Sequence, residues 1–183
     1  MMHYFLDMEV WQNADGISLG QGKYAVYILK RFGMMGCKAM STPIASNFKL
    51  LIDGSSQKVD TMMYYQIICS LMYLTNMRPG ICFAMNTLRH VHLMVAKYAV
   101  RYLKGTIEYG LKYDMNQKIN LEVYVDSYWE GSAIEGKSTS RCCFSIGSCA
   151  ISWFSRKKSC VALSTSEAEY VATCSASCEV VWL

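Results

Sequence analysis

Apolar and polar positions change rhythm twice along the chain. The run HYFLDMEVW alternates, and after a turn ending Asp15-Gly16 the run GISLGQ alternates again, which predicts a β-hairpin. GKYAVYILKRFG then puts Val26, Leu29 and Phe32 on one helical face, with Gly33 placed as the C-terminal stop. Residues 34–60 carry Pro43, Gly54 and several Ser and Asn residues, and predict an extended, exposed connection. Helical spacing resumes in TMMYYQIICSLMYLTNM, where Tyr64, Ile67, Ile68, Leu71 and Leu74 share a face, and it stops at Arg78-Pro79-Gly80. A third helical stretch runs through ICFAMNTLRHVHLMVAKYAVRYLKGT. Beyond DMNQKIN the rhythm shortens: NLEVYVDSYW, SRCCFSIGS and AISWFSRKK predict a three-strand antiparallel meander. STSEAEYVATCSASCEVVWL predicts a closing helix.

The pattern is that of an α+β chain in two parts, residues 1–116 and 117–183. The second part is short for an independent core, and one helix on a meander leaves one sheet face largely uncovered. A hydrophobic fraction of 52% in 183 residues supplies a core and argues against wholesale disorder. The net charge of +4 is spread along the chain, which permits an acidic partner without demanding one. Nine cysteines at irregular spacing, with no C-x-x-C pair, fit neither a zinc ribbon nor a disulfide framework. His90 and His92 form an H-x-H pair with no cysteine near them in sequence. The cysteines read as free, mostly buried thiols in a reducing compartment. MMHYFLDMEV lacks the basic start of a signal peptide, and no apolar run reaches membrane-spanning length. The expectation is an intracellular protein with no membrane partner, cytoplasm and nucleus both open.

One carboxylate stands out. In YVDSYWEG, Asp126 lies on a strand between β-forming residues, opposite in direction to Val123 and Val125. Two further strands follow, then a helix opening STSEAEY. This order resembles that of ribonuclease H folds, in which an acid on a strand and one on a helix converge on divalent ions about 3.5–4 Å apart for two-metal phosphodiester hydrolysis. Ser164-x-x-Glu167 and Ser166-x-x-Glu169 both match a capping box, so cap spacing alone does not choose between the glutamates.

The order strand with Asp, two strands, helix with Glu is that of ribonuclease H folds, and Glu169-Tyr170-Val171-Ala172 resembles their helix motif. More broadly, YFLDMEVWQNADGISLGQGKYAVYILKRFGM, KAMSTPIASN, YYQIICSLMYLTNMRPGICFAMNTL, AVRYLKGTIEYGLKYD, YVDSYWEGS, KSTSRCCFSIGS, ISWFSRKKSCVALSTSEAEYVA and EVVWL run in family order from end to end. The chain thereby resembles the reverse transcriptase–ribonuclease H part of plant copia-type retrotransposon Pol polyproteins. The resemblance implies a β-hairpin with a helical thumb-like region, followed by an incomplete ribonuclease H-like β-β-β-α unit. It implies Asp126 and Glu169 as catalytic, metal-ligating acids, with Glu167 left to the cap. Mg²⁺ is the implied cofactor of the intact enzyme, weakly held or absent here. Tyr65, Cys69 and Tyr73 on the second helix, with Lys97, Arg101 and Lys104 on the third helical stretch, are the implied contacts to an RNA–DNA hybrid or primer–template.

Several positions depart from the family pattern. Residue 7 is Asp where the family has Gly, and its charge would repel primer phosphates. Tyr65 and Cys69 replace an Arg and a Gly, so the nucleic-acid face loses a charge and a point of close approach. The usual R-P-D reads Arg78-Pro79-Gly80, and the loop expected between Leu88 and Arg89 is missing, predicting one long helix or a misfit. Arg141 stands where the family has Gly. No Y-x-D-D occurs, and the 183 residues lack two further aspartates of the family site. A fragment inactive by itself is therefore expected, with a non-catalytic nucleic-acid-binding or protein-interaction module as the alternative. The missing neighbour of the Asp126 strand also implies an unpaired edge and self-association through it.

Overall fold

The structure is a computed structural model describing residues 3–44, 61–88, 93–129 and 137–183. The chain divides into two compact units, Met1–Lys112 and Tyr113–Leu183. It is mixed α and β, with a four-stranded sheet ordered β1-β2-β3-β4, a three-stranded sheet ordered β5-β6-β7, and five helices among the described residues.

In the first unit, β2 (Met8–Asn13) and β3 (Gly16–Gly20) form the expected hairpin, paired from Glu9↔Gly20 to Asn13↔Gly16. Asn13 Oδ1 accepts the N–H groups of Asp15 and Gly16 at 3.2 and 3.0 Å, so the Asn side chain builds the turn. The preceding run is not one strand. It breaks at Leu6-Asp7, and β1 (Tyr4–Phe5) folds back on β2 through Tyr4↔Glu9 and Phe5↔Met8. Both turn residues have positive φ, 46° and 55°. Such turns ordinarily carry Asn or Gly, so Leu-Asp hides the turn inside a β-forming run.

Helix α1 (Gly22–Arg31) buries Ala25, Ile28 and Leu29, a face rotated from the expected one, with Val26 and Phe32 half-buried. Gly33 at φ 65° ends it as expected, while Gly33 N–H reaches Lys30 O and Met34 N–H reaches Leu29 O. Of the 34–60 connection, residues 34–44 are turns and bends and the remainder lies outside the described residues. Helix α2 (Thr61–Leu74) buries Ile67, Ser70, Leu71 and Leu74, with Tyr64 and Ile68 packed at the margin. The third helical stretch holds two described helices, α3 (Pro79–Leu88) and α4 (Leu93–Gly105); residues 89–92, His90 and His92 among them, lie outside the described residues. Pro79 occupies the first turn of α3, where its missing N–H costs nothing. The core joins Ile28 and Leu29 of α1, Ile67, Leu71 and Leu74 of α2, Ile81 of α3, and Val95, Val100 and Leu103 of α4.

Strand β4 (Gly110–Asp114), not anticipated from the pattern, borders β3. A Cβ at Gly110 would fall 2.2 Å from Leu19 O, so only glycine allows this approach.

The second unit holds the meander, β5 (Leu121–Tyr128), β6 (Thr139–Ile146) and β7 (Cys149–Lys157), then α5 (Thr165–Val180). Its register pairs Val123 with Phe144, Val125 with Cys142 and Asp126 with Arg141, and carries an irregularity at Phe144/Ser145 between β6 and β7. Helix α5 turns Ala168, Ala172 and Ala176, spaced four apart, toward the interior. The small core holds Cys142, Phe144 and Ala176, with Ile151, Phe154 and Val180 against it. Among the described residues β5 is an edge strand, and every residue in it is exposed except the half-buried Ser127.

Candidate functional site

The cap of α5 settles which glutamate serves the helix end. Ser164 is the N-cap, and its Oγ accepts Glu167 N–H at 3.1 Å. Glu167 Oε2 in turn accepts Leu163 N–H at 2.7 Å, one residue beyond the partner of a standard capping box. Its charge also suits the positive end of the helix. Glu169 lies exposed on the next turn, its backbone O accepting from Thr173 Oγ1 at 2.9 Å.

Asp126 sits near the C-terminal end of β5. Side chains alternate along a strand and directly paired residues share a face. Cys142 and Phe144 meet Ala176 and Val180 of α5, which assigns Val125 and Val123 to the helix-covered face. Asp126 and Arg141 therefore lie on the opposite face. Arg141 Nη1 is 3.0 Å from Asp126 Oδ2, and its guanidinium carbon is 5.9 Å from the centre of the Tyr128 ring. Partial burial lowers the Arg141 pKa from its usual value, opposed by the charge of Asp126 beside it.

The residues expected to meet nucleic acid do not form one uniform surface. Tyr65 and Cys69, four apart on α2, are both exposed. Tyr73 is half-buried: its ring packs edge-on against Tyr24, centroids 5.0 Å apart, and its hydroxyl donates to Leu6 O. On α4, Lys97 is exposed and Lys104 half-buried, while Arg101 Nε donates to Lys38 O at 3.0 Å. These three lie along the side of α4 away from Val95 and Ala99, which are buried.

Two features gave no signal in the pattern. Arg78 is buried, and its guanidinium donates to Thr106 O, to Thr106 Oγ1 at 3.0 Å and to Ile107 O at 3.1 Å, just past the C-terminus of α4. Burial lowers its pKa, and the negative end of α4 faces the charge. The second is a groove of about 790 Å³ whose lining includes Glu9, Trp11, Lys23, Tyr109 and Lys112. Glu9 is already engaged there, accepting Lys23 N–H at 3.0 Å.

With Uncharacterized mitochondrial protein AtMg00810 of Arabidopsis thaliana the chain is 36% identical over 191 residues, covering 99% of this chain and 78% of that protein. The Retrovirus-related Pol polyproteins from transposons RE2 and RE1 of Arabidopsis thaliana are 32% and 33% identical to it over 189 residues, 100% of this chain. The chain belongs to the family of plant transposon Pol polyproteins. It spans 13% of the length of either polyprotein. No protein-family model matches it, and neither does any solved structure.

In this Pol-derived chain, Asp126 and Glu169 have the hard oxygen donors that Mg²⁺ prefers. Among the described residues, however, no group of three or more His, Cys, Asp or Glu side chains is arranged to hold a metal ion. One oxygen of Asp126 also already faces a guanidinium. The described residues do not fit a two-metal centre. All nine cysteines are free thiols, but they are not mostly buried: only Cys142 and Cys149 are, while Cys69, Cys160, Cys174 and Cys178 are exposed. No helix among the described residues is long and apolar enough to cross a membrane.

Proposed function

We propose that this Pol-derived stretch is the thumb-like end of a reverse transcriptase, residues 1–116, joined to the first half of a ribonuclease H-like domain, residues 117–183. In the intact polyprotein such a region would grip an RNA–DNA hybrid and hydrolyse its RNA strand with Mg²⁺. By itself it holds the hybrid weakly and does not hydrolyse it. The observation that carries this reading is the β5-β6-β7-α5 order, with Asp126 on the first strand and Glu169 left outward by the cap that engages Glu167. Sequence-independent binding through scattered Lys and Arg follows from their displacement of counterions on the phosphate backbone, which also makes it strongly salt-dependent.

Fluorescence anisotropy with an RNA–DNA hybrid at two salt concentrations tests the grip. Affinity should fall steeply with salt and rise in the Tyr65→Arg/Cys69→Gly double variant; unchanged binding in that variant refutes the thumb assignment. Hybrid cleavage in Mg²⁺ or Mn²⁺ that disappears in Asp126→Asn refutes the inactivity.

A second reading, self-association, is favoured by one observation. Among the described residues β5 pairs with β6 alone, while Val123 and Val125 stay 36% and 37% exposed. An open strand edge beside apolar side chains is a template for a second copy. Sedimentation velocity across concentrations should show a dimer that a Val125→Lys variant weakens; a monomer at every concentration removes this reading.

A further inference from the structure

We propose that Arg141 is a fixed cation that closes Asp126 to divalent ions, so that the guanidinium stands where an oxygen-liganded metal would have to bind. The inference rests on the reading of Asp126 as a ligand-type carboxylate. Three observations carry it. Register sets Arg141 directly opposite Asp126 on the neighbouring strand, and the two side chains meet at 3.0 Å. Arg141 comes from β6, the central strand, which is paired to β5 on one side and β7 on the other, so its backbone is held by both neighbours. The side chain is 30% exposed and lies along the Tyr128 ring, whereas the Asp126 side chain is 64% exposed on the sheet edge. An ion from solvent can therefore reach Asp126, and a sheet-mounted guanidinium is already there.

The competition is electrostatic and geometric. The carboxylate oxygen lone pairs that accept a guanidinium N–H are the ones a metal would take, and a guanidinium fork matches carboxylate geometry well. A fixed positive charge a few ångströms from the oxygens also repels a dication approaching them. The family resemblance places glycine at position 141, which would leave the carboxylate uncovered.

The test uses the full 183-residue chain and Mn²⁺ alone as the probe. Paramagnetic broadening of backbone amide signals is followed in the parent protein, in Arg141→Gln, and in Arg141→Gln combined with Asp126→Asn. The amides around Asp126 should broaden at about fivefold lower Mn²⁺ in Arg141→Gln than in the parent, since one nearby charge is removed in a mostly aqueous setting. Adding Asp126→Asn should abolish that broadening. Arg141→Ser serves as a second release variant if the glutamine variant unfolds the strand. Equal broadening in parent and release variants overturns the proposal. Broadening that survives Asp126→Asn, or is absent from every release variant, overturns it as well. Hybrid affinity is measured separately, so a chain that binds no hybrid yet gains Mn²⁺ binding refutes the hybrid reading while supporting the cation lock.

Discussion

In the unit ending at Lys112, four helices bring Ile28, Leu29, Ile67, Leu71, Leu74, Ile81 and Leu103 to complete burial. In the unit beginning at Tyr113, Phe144 is the one comparably large side chain among the described residues that is fully buried. The helix there offers an alanine stripe, Ala168, Ala172 and Ala176, instead of leucines and isoleucines. Alanine lets a helix approach a sheet closely, but it removes little apolar area from water, at about 25 cal/mol per Å². Large apolar side chains are meanwhile left outside: Tyr170, Val181 and Trp182 are 72%, 83% and 88% exposed. The first unit rests on many interlocking aliphatic contacts, the second on one aromatic anchor. The second should be the weaker of the two.

Breaking the anchor gives the largest expected effect. Phe144→Ala should cost about 3–5 kcal/mol and Leu71→Ala about 2–5 kcal/mol. Hydrogen exchange distinguishes their consequences: Phe144→Ala should strip protection from β6 and β7 amides while α2 and α4 keep theirs. Leu71→Ala should weaken α2 and α4 without deprotecting the meander. Simultaneous loss in both regions with either variant would break the contrast.

The first unit also holds a buried charge, Arg78, among its aliphatic side chains. Arg78→Ala leaves the Thr106 and Ile107 carbonyls without their donor and should cost about 2–3 kcal/mol in urea unfolding. Lysine should not rescue it, because one ammonium cannot reproduce the guanidinium fork. Full rescue by Arg78→Lys would show that charge alone matters.

The smallest effect is a gain. Asp7→Gly should stabilise the first unit by about 1 kcal/mol, because glycine accepts the φ of 55° without a Cβ penalty. The substitution also removes the 2.8 Å hydrogen bond from the Tyr4 hydroxyl to Asp7 Oδ1, which is exposed and contributes little. A lower urea midpoint would show that this bond outweighs the backbone strain.

What was legible in the sequence was local. Gly33 marked the end of α1, the turn ending Asp15-Gly16 marked the hairpin, and the spacing of Ile67, Leu71 and Leu74 gave the buried side of α2. Period-two runs marked β5, β6 and β7, and Ser164 marked the start of α5. Of the candidate site, residue types and their elements were legible: an acid on β5, two acids in the first turns of α5, and Tyr65 with Cys69 on one side of α2. Each of these depends on neighbours within a few positions, where dihedral preference, side-chain period and capping decide.

Tertiary structure alone decided what depends on distant partners. The Leu6-Asp7 turn is held by Tyr73, 67 residues away, so no local rule announces it and Tyr73 is diverted from solvent. Arg78 is buried because Thr106, 28 positions on, presents its carbonyl there. Gly110 admits β4 because Leu19 O lies where a side chain would be. Asp126 meets Arg141 because the β5–β6 register sets them opposite one another across 15 residues of chain. By itself the sequence determined the elements and the kinds of chemistry they carry; chain-distant contacts decided which groups meet, because a charge or carbonyl acquires its partner only when packing brings remote segments within hydrogen-bond reach.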